Sequence, residues 1–405
     1  MNRIPSSTRS LLTNLTNEEL LIEKYRHIFK YIKNQLYNYR NNTAILNLKW
    51  GRISEEGANI IADFLSNHSA LTDLIFKRTN FRNEAALDLA KILENNTTLT
   101  RLVFEDTKIN NTGFGAIAQS LKINTTLKIL DLTNNNIRND VAITIADVIK
   151  RNSSLTELIL SNNRIDYQGA NAIADALKIN TTLIKLNLSG NTIDSDGIKN
   201  IAASLKINST LKKLVLCNNF IDDDGVVNIV DFLKVNKSVS ELDLGENRIG
   251  DIGATHIALA LRENTALNTL DLSSNKIELK GFNSLRLGLK NNTTLTKIKL
   301  SVNGFDIDMF NMEDYLNSNE DSETDEDLVD IDHGDTLFTA YLDIRKICNR
   351  NKDKELLLKK ATPVLQKLSE LSPTSLPTEI AELIAQQLVT TEFDAATLRR
   401  IGDLV

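Results

Sequence analysis

Cysteine is scarce: the 405 residues contain two, Cys217 and Cys348, far apart and in unlike surroundings. Secreted repeat proteins usually carry a disulfide framework, so this usage points to a reducing compartment and a cytoplasmic location. Long apolar runs are missing too. No stretch approaches the roughly 18 apolar residues of a membrane span, so stable membrane insertion is not expected. The opening MNRIPSSTRSLLTNLTNEEL holds no apolar core of signal-peptide length. Histidine is rare, and His27, His68, His256 and His333 share no metal-ligand spacing. There is no phosphate-binding glycine loop, no Gly-x-Ser-x-Gly and no Cys–His pattern. These absences argue against an enzyme, a metal centre or a bound cofactor.

The net charge of −6 is uneven. Eleven acids and no Lys or Arg stand between Glu313 and Asp335, which leaves +5 on the remainder. That remainder is only mildly basic, so a nucleic-acid partner is not expected. Residues 313–335 read as a mobile acidic linker with few large apolar residues.

What the chain does have is a period. NTTL occurs at 96–99, 124–127, 180–183 and 292–295, with NSSL, NSTL, NKSV and NTAL between. Most of these are Asn-x-Ser/Thr, the acceptor pattern for N-linked sugar. The spacing gives another reading. The closing residue falls at Leu99, Leu127, Leu155, Leu183, Leu211, Val239, Leu267 and Leu295, always 28 apart. The series extends back to Leu71 and, more weakly, to Thr43. Each unit reads L-x-x-L-x-L-x-x-N-x-I-x-x-x-G and then turns helical. Leu-x-Leu alternates with period two, so a short strand buries its leucines. In the helical half, Ala170, Ile173, Ala174 and Leu177 make one apolar face. One such unit cannot bury both halves alone, but a stack of them can.

This pattern resembles the leucine-rich repeat family in its ribonuclease-inhibitor-like subtype, as found in Ran GTPase-activating proteins and NLR receptors. Ten units over residues 43–312 carry the resemblance. It implies an α/β solenoid, a horseshoe with parallel strands on the concave face and helices on the convex one. NTTL is then a helix stop and strand start. Asn180 and its equivalents are expected to end a helix in the left-handed conformation. Asn135, Asn163, Asn191, Asn219, Asn247, Asn275 and Asn303 fall where the chain leaves the strand, and their amides are expected to satisfy backbone groups there. The first units carry Gly51, Thr79 and Thr107 instead, so that end is expected to be the less regular. IDSDG at 193–197 and IDDDG at 221–225 suggest calcium, but no Glu closes the loop; helix capping fits better.

A solenoid needs caps. Residues 1–42 include an amphipathic stretch read as a capping helix. Residues 336–405 read as a helical region, either an independent module or a cap on the last repeat.

Function should lie on the varied concave positions. The candidate partner-binding residues are Lys49, Trp50, Lys77, Arg78, Arg101, Glu105, Asp131, Glu157, Lys185, Lys213, Glu241, Asp243 and Asp271. Lys49, Trp50, Lys77 and Arg78 are expected to form one patch, because Trp and Arg dominate interface hot spots. The resemblance implies a non-enzymatic scaffold for protein partners, here expected as a monomer. Two alternatives stand beside it. Leu376, Pro377, Glu379, Ile380, Ile384 and Leu388 resemble the opening of an F-box, which implies a ubiquitin-ligase substrate adaptor. Ran GTPase activators are similar in outline and act through a loop arginine, for which Arg78 and Arg82 are the nearest positions. The Asn-, Ile- and Lys-rich composition would also suit a microbial protein delivered into a host cell.

Overall fold

The computed structural model describes residues 44–49, 52–53, 71–81, 83–301, 303, 346–347 and 349–352. Strands and helices alternate along it. The strands are β1 (Ala44–Lys49), β2 (Arg52–Ile53), β3 (Leu71–Lys77), β4 (Asn80–Phe81), β5 (Arg101–Glu105), β6 (Ile129–Asp131), β7 (Glu157–Ile159), β8 (Lys185–Asn187), β9 (Lys213–Val215), β10 (Glu241–Asp243), β11 (Thr269–Asp271) and β12 (Lys297–Lys299). The helices are α1 (Asn83–Asn95), α2 (Asn111–Leu121), α3 (Asn139–Arg151), α4 (Tyr167–Leu177), α5 (Ser195–Leu205), α6 (Asp223–Val235), α7 (Asp251–Leu261) and α8 (Leu279–Leu289).

Ten strands form one open sheet in the order β1-β3-β5-β6-β7-β8-β9-β10-β11-β12, and β2 pairs separately with β4. Every pairing is parallel, and the partners from β3 onwards are 28 residues apart, as in Glu157 with Lys185 or Asp243 with Asp271. The sequence period is therefore the sheet register. This is the α/β leucine-rich-repeat solenoid.

The core runs unbroken between sheet and helices. Leu158, Leu160, Ile165, Ala170, Ile173, Ala174 and Leu177 are all fully buried, and their equivalents in neighbouring repeats extend the same cluster. Each buried Leu or Ile contributes roughly 1.5–3 kcal/mol. The glycine closing the motif is set by helix spacing. A Cβ on Gly169 would lie 2.7 Å from Ile165 and 2.8 Å from Asn139 of the preceding repeat.

Two ladders of asparagine brace the turns. Asn163 donates to the carbonyls of Leu132 at 3.0 Å and Leu160 at 2.9 Å, while its oxygen accepts from the amides of Asn135 and Ile137. The second ladder is the NTTL asparagine. Asn180 donates to Ile149 O at 2.8 Å and accepts from the amides of Thr182 and Leu183. The left-handed expectation for this residue is corrected here. Asn180 is not among the positive-φ residues, and its equivalents Asn152 and Asn236 have φ −77° and −72°. Its amide bonds the preceding repeat, and that contact needs extended backbone. The left-handed residue is instead the one before the other ladder: Arg78, Asp106, Asn134, Asn162, Gly190, Asn218, Glu246 and Ser274. The amides of Asn124, Asn152, Asn180, Asn208, Asn236 and Asn292 are buried and engaged in the core. A glycan has no room on them.

The early repeats differ as their ladder residues predict. β1, β3 and β5 run to five to seven residues against three in the later strands. The hydroxyl of Thr79 is buried without a hydrogen-bond partner among the described residues. Aromatic packing supports this end, with Phe76 stacked on Phe104 at 5.3 Å and Phe114 edge-on to Phe104.

At the other end, residues 346–347 and 349–352 are helical and lie on the last repeat. Asn351, 1% exposed, donates to Leu295 O at 2.7 Å, and Arg350 donates to Asn292 O at 2.9 Å. Ile347 packs against the core. The carbonyl of Asn292 thus receives from Arg350 what the carbonyl of Asn264 receives from Asn292. This segment continues the amide ladder where the repeat ends.

Candidate functional site

The sheet face away from the helices carries three columns of side chains, two positions apart along each strand. The first column includes Asp73, Arg101, Glu157, Lys185, Lys213 and Glu241. The second includes Ile75, Val103, Asp131, Ile159, Val215, Asp243, Asp271 and Lys299. The third includes Lys77, Glu105 and Cys217.

Most charges on this face are matched across one repeat. Lys77 lies 2.5 Å from Glu105, and Lys185 lies 3.3 Å from Glu157. Lys213 lies 2.7 Å from Glu241, Lys299 2.6 Å from Asp271, and Arg101 3.9 Å from Asp73. The cation of each pair is roughly half-exposed, and each pair is worth at most about 1 kcal/mol. Their effect is to make the face electrically mixed.

Two acids depart from this pattern. Asp131 accepts from the amide and hydroxyl of Thr133 at 3.0 and 2.5 Å. Asp243 accepts from the amide of Gly245 at 3.0 Å and forms no ion pair among the described residues. Burial pushes the Asp243 carboxyl above its ordinary range; the Gly245 amide opposes this and the Asp271 charge adds to it. Burial acts on Asp271 in the same way, but the Lys299 ammonium and the Ser273 hydroxyl and amide bring it below the ordinary range. The same contact raises Lys299. Cys217, half-buried behind Asp243, Glu246 and Asp271, is pushed up to about 11, first by burial and then by those acids. Its thiol is protonated and weakly nucleophilic at neutral pH. Over this corner lies an open depression of about 310 Å³ lined by Lys213, Glu241, Asp243, Thr269, Asp271, Lys297 and Lys299.

Lys213, Glu241, Asp243 and Asp271 thus line one depression, while Arg101, Glu105, Glu157 and Lys185 lie in local pairs. Lys49 is the register partner of Lys77, so those two lie side by side on adjacent strands. Arg78 follows in left-handed backbone with φ 51°, its amide bonded to Glu105 O. Trp50, Arg82, Leu376, Pro377, Glu379, Ile380, Ile384 and Leu388 lie outside the described residues. Lys299 lines the same depression although it is not among the candidate binding residues; Asp73 pairs with Arg101, and Cys217 lies beside Asp243, Glu246 and Asp271. Opposite charges 28 residues apart were the available signal.

Three of the five acids of IDSDG and IDDDG cap helices. Asp194 accepts from Gly197 N, Asp222 from Gly225 N, and Asp223 from Gly250 N and Gly253 N of the next helix. Among the described residues no cluster of His, Cys, Asp and Glu is arranged to hold a metal. None of the described helices is long and apolar enough to cross a membrane.

The family described as Leucine Rich repeat matches residues 124–146, 151–174, 180–202, 235–258 and 263–282. No curated protein matches the sequence significantly. Among solved structures, leiomodin-1 actin-binding site 2 is 28% identical, over 31% of this chain and 76% of that one, with a TM-score of 0.31. An internalin from Listeria monocytogenes is 22% identical over 60% of this chain and 64% of its own, with a TM-score of 0.39. The tropomodulin C-terminal domain of Caenorhabditis elegans is 11% identical over 47% of this chain and 97% of that one, with a TM-score of 0.34. The matched segments are similar to the Leucine Rich repeat family, and the sequence period and the strand register follow the same 28-residue repeat.

Proposed function

We propose that this protein is a non-enzymatic scaffold that binds a partner protein on the concave sheet face, with the corner around Asp243 as its anchor. One observation carries this. Framework positions repeat at every turn, while the sheet-face positions change from repeat to repeat and present apolar, acidic and basic side chains in a fixed array. Asp243 adds the specific element. It is a half-buried carboxylate without an ion-pair partner among the described residues, beside an open depression, and a cationic group from a partner would stabilise its charged form.

The test is affinity capture from cell lysate with the full chain, comparing the wild type with Asp243→Lys and with Lys199→Glu on the outer helix face. The scaffold reading expects proteins recovered by the wild type and by Lys199→Glu, and lost with Asp243→Lys. Equal recovery by all three variants would reject the concave face as the binding surface.

A further inference from the structure

The strand-to-helix loops of three early repeats enclose a second concavity, away from the sheet face. It has a volume of about 730 Å³, and its charged lining is Asp106, Lys108, Arg138 and Arg164, a net +2. The rest of the lining is almost entirely asparagine amides. Lys108, Arg138 and Arg164 are exposed, and their side chains make no hydrogen bond or ion pair among the described residues. Acids nearby are already engaged: Asp140 takes a hydrogen bond from Asn111, and Asp166 takes one from Asn139.

The repeats supply an internal control. Asn110, Asp166, Asp194 and Asp222 hold the residue position that Arg138 holds, and each caps its own helix. Helices α7 and α8 lack that cap and are capped instead by Asp223 and Asp251 of the preceding helix. Of helices α2 to α8, α3 alone receives no side-chain cap from either source. A framework position has thus been given up for a cation that points into a groove with two others. A cap is normally stabilising, so its loss is unexplained by the fold and fits a ligand.

We propose that this loop groove binds a carboxylate-rich, extended peptide segment of a partner protein. Three free cations provide the charge match. Asparagine amides both donate and accept, as a peptide backbone requires. The lining offers no aromatic ring on which a nucleic-acid base could stack. The site is separate from the concave face and does not depend on the reading given for that face.

The experiment is fluorescence anisotropy of a labelled peptide of about eight glutamates, with the full chain at two salt concentrations. The wild type is expected to bind it, more weakly at higher salt. Arg138→Asp should weaken binding by about tenfold or more and at the same time raise the melting temperature, because it restores the missing cap. The pair Lys108→Asn and Arg164→Thr, which copies residues of neighbouring repeats, should weaken binding without changing the melting temperature. Asp243→Lys should leave peptide affinity unchanged, which separates this site from the concave one. Unchanged affinity in both loop variants would overturn the proposal. So would tighter binding of a single-stranded oligonucleotide than of the peptide.

Discussion

The ammonium of Lys299 lies 2.6 Å from the Asp271 carboxylate, one strand and 28 residues away. Asp243, the next strand along, has the same neighbour spacing but no ammonium, and its carboxyl is raised where that of Asp271 is lowered. The two acids should respond oppositely to substitution. Asp271 is stabilising above the unfolded Asp value of about 4, and this is lost as pH falls through its depressed value. Asp243 has a raised value, so its ionisation costs stability as pH rises. Asp271→Asn should lower the melting temperature at pH 7, and Asp243→Asn should raise it. Both differences should shrink below about pH 4. Melts from pH 7 to pH 3 check this, and each change should stay under about 1 kcal/mol, because Lys299 is half-exposed.

Cys217 gives a chemical readout of the same corner. With its thiol at about 11, native alkylation by iodoacetamide should be slow at pH 7.5 and rise until above pH 10. Asp243→Asn should speed it by removing one of the charges that oppose the thiolate. A Cys348→Ser background isolates the signal. Rapid alkylation at neutral pH would show that the acids do not govern this thiol.

Adjacent positions of the repeat's turn should behave very differently. Asn163 is buried, donates to three carbonyls and accepts from two amides. Asn163→Ala should cost about 2–3 kcal/mol, since it strands buried backbone groups. Glu246 is exposed in left-handed backbone, φ 52°. Glu246→Gly should therefore stabilise by up to about 1 kcal/mol. Urea unfolding measures both.

Much of this fold is legible in the sequence because stacking makes a linear code. The 28-residue period is the strand register, so Leu158 and Ile173 could be assigned to the core without coordinates. The cross-repeat pairs were equally available, since Glu157 and Lys185 differ by one period. The left-handed turn position was not. Arg78, Asp106 and Glu246 are poor markers of that conformation, and only the geometry between strand and ladder forces it on them. Asn180 misled for the opposite reason: its type suits left-handed backbone, but its amide is held by the carbonyl of Ile149. The absent cap on α3 became visible only when seven helix starts could be compared in space.

The C-terminal contact predicts a local effect. Asn351→Ala removes the buried donor to Leu295 O. Hydrogen exchange should quicken in α8 and β12, while α4 and β7 keep their protection. Uniform protection in the variant would mean that residues 346–352 do not brace the last repeat.

The most direct test of the central claim is site-specific photo-cross-linking. A benzophenone amino acid is placed at Ile159 on the sheet face or at Lys199 on the outer helix face, and each chain is irradiated in lysate. The scaffold account predicts discrete cross-linked protein bands from Ile159 and none from Lys199. Bands from Lys199 alone would contradict it and move the partner surface to the helices.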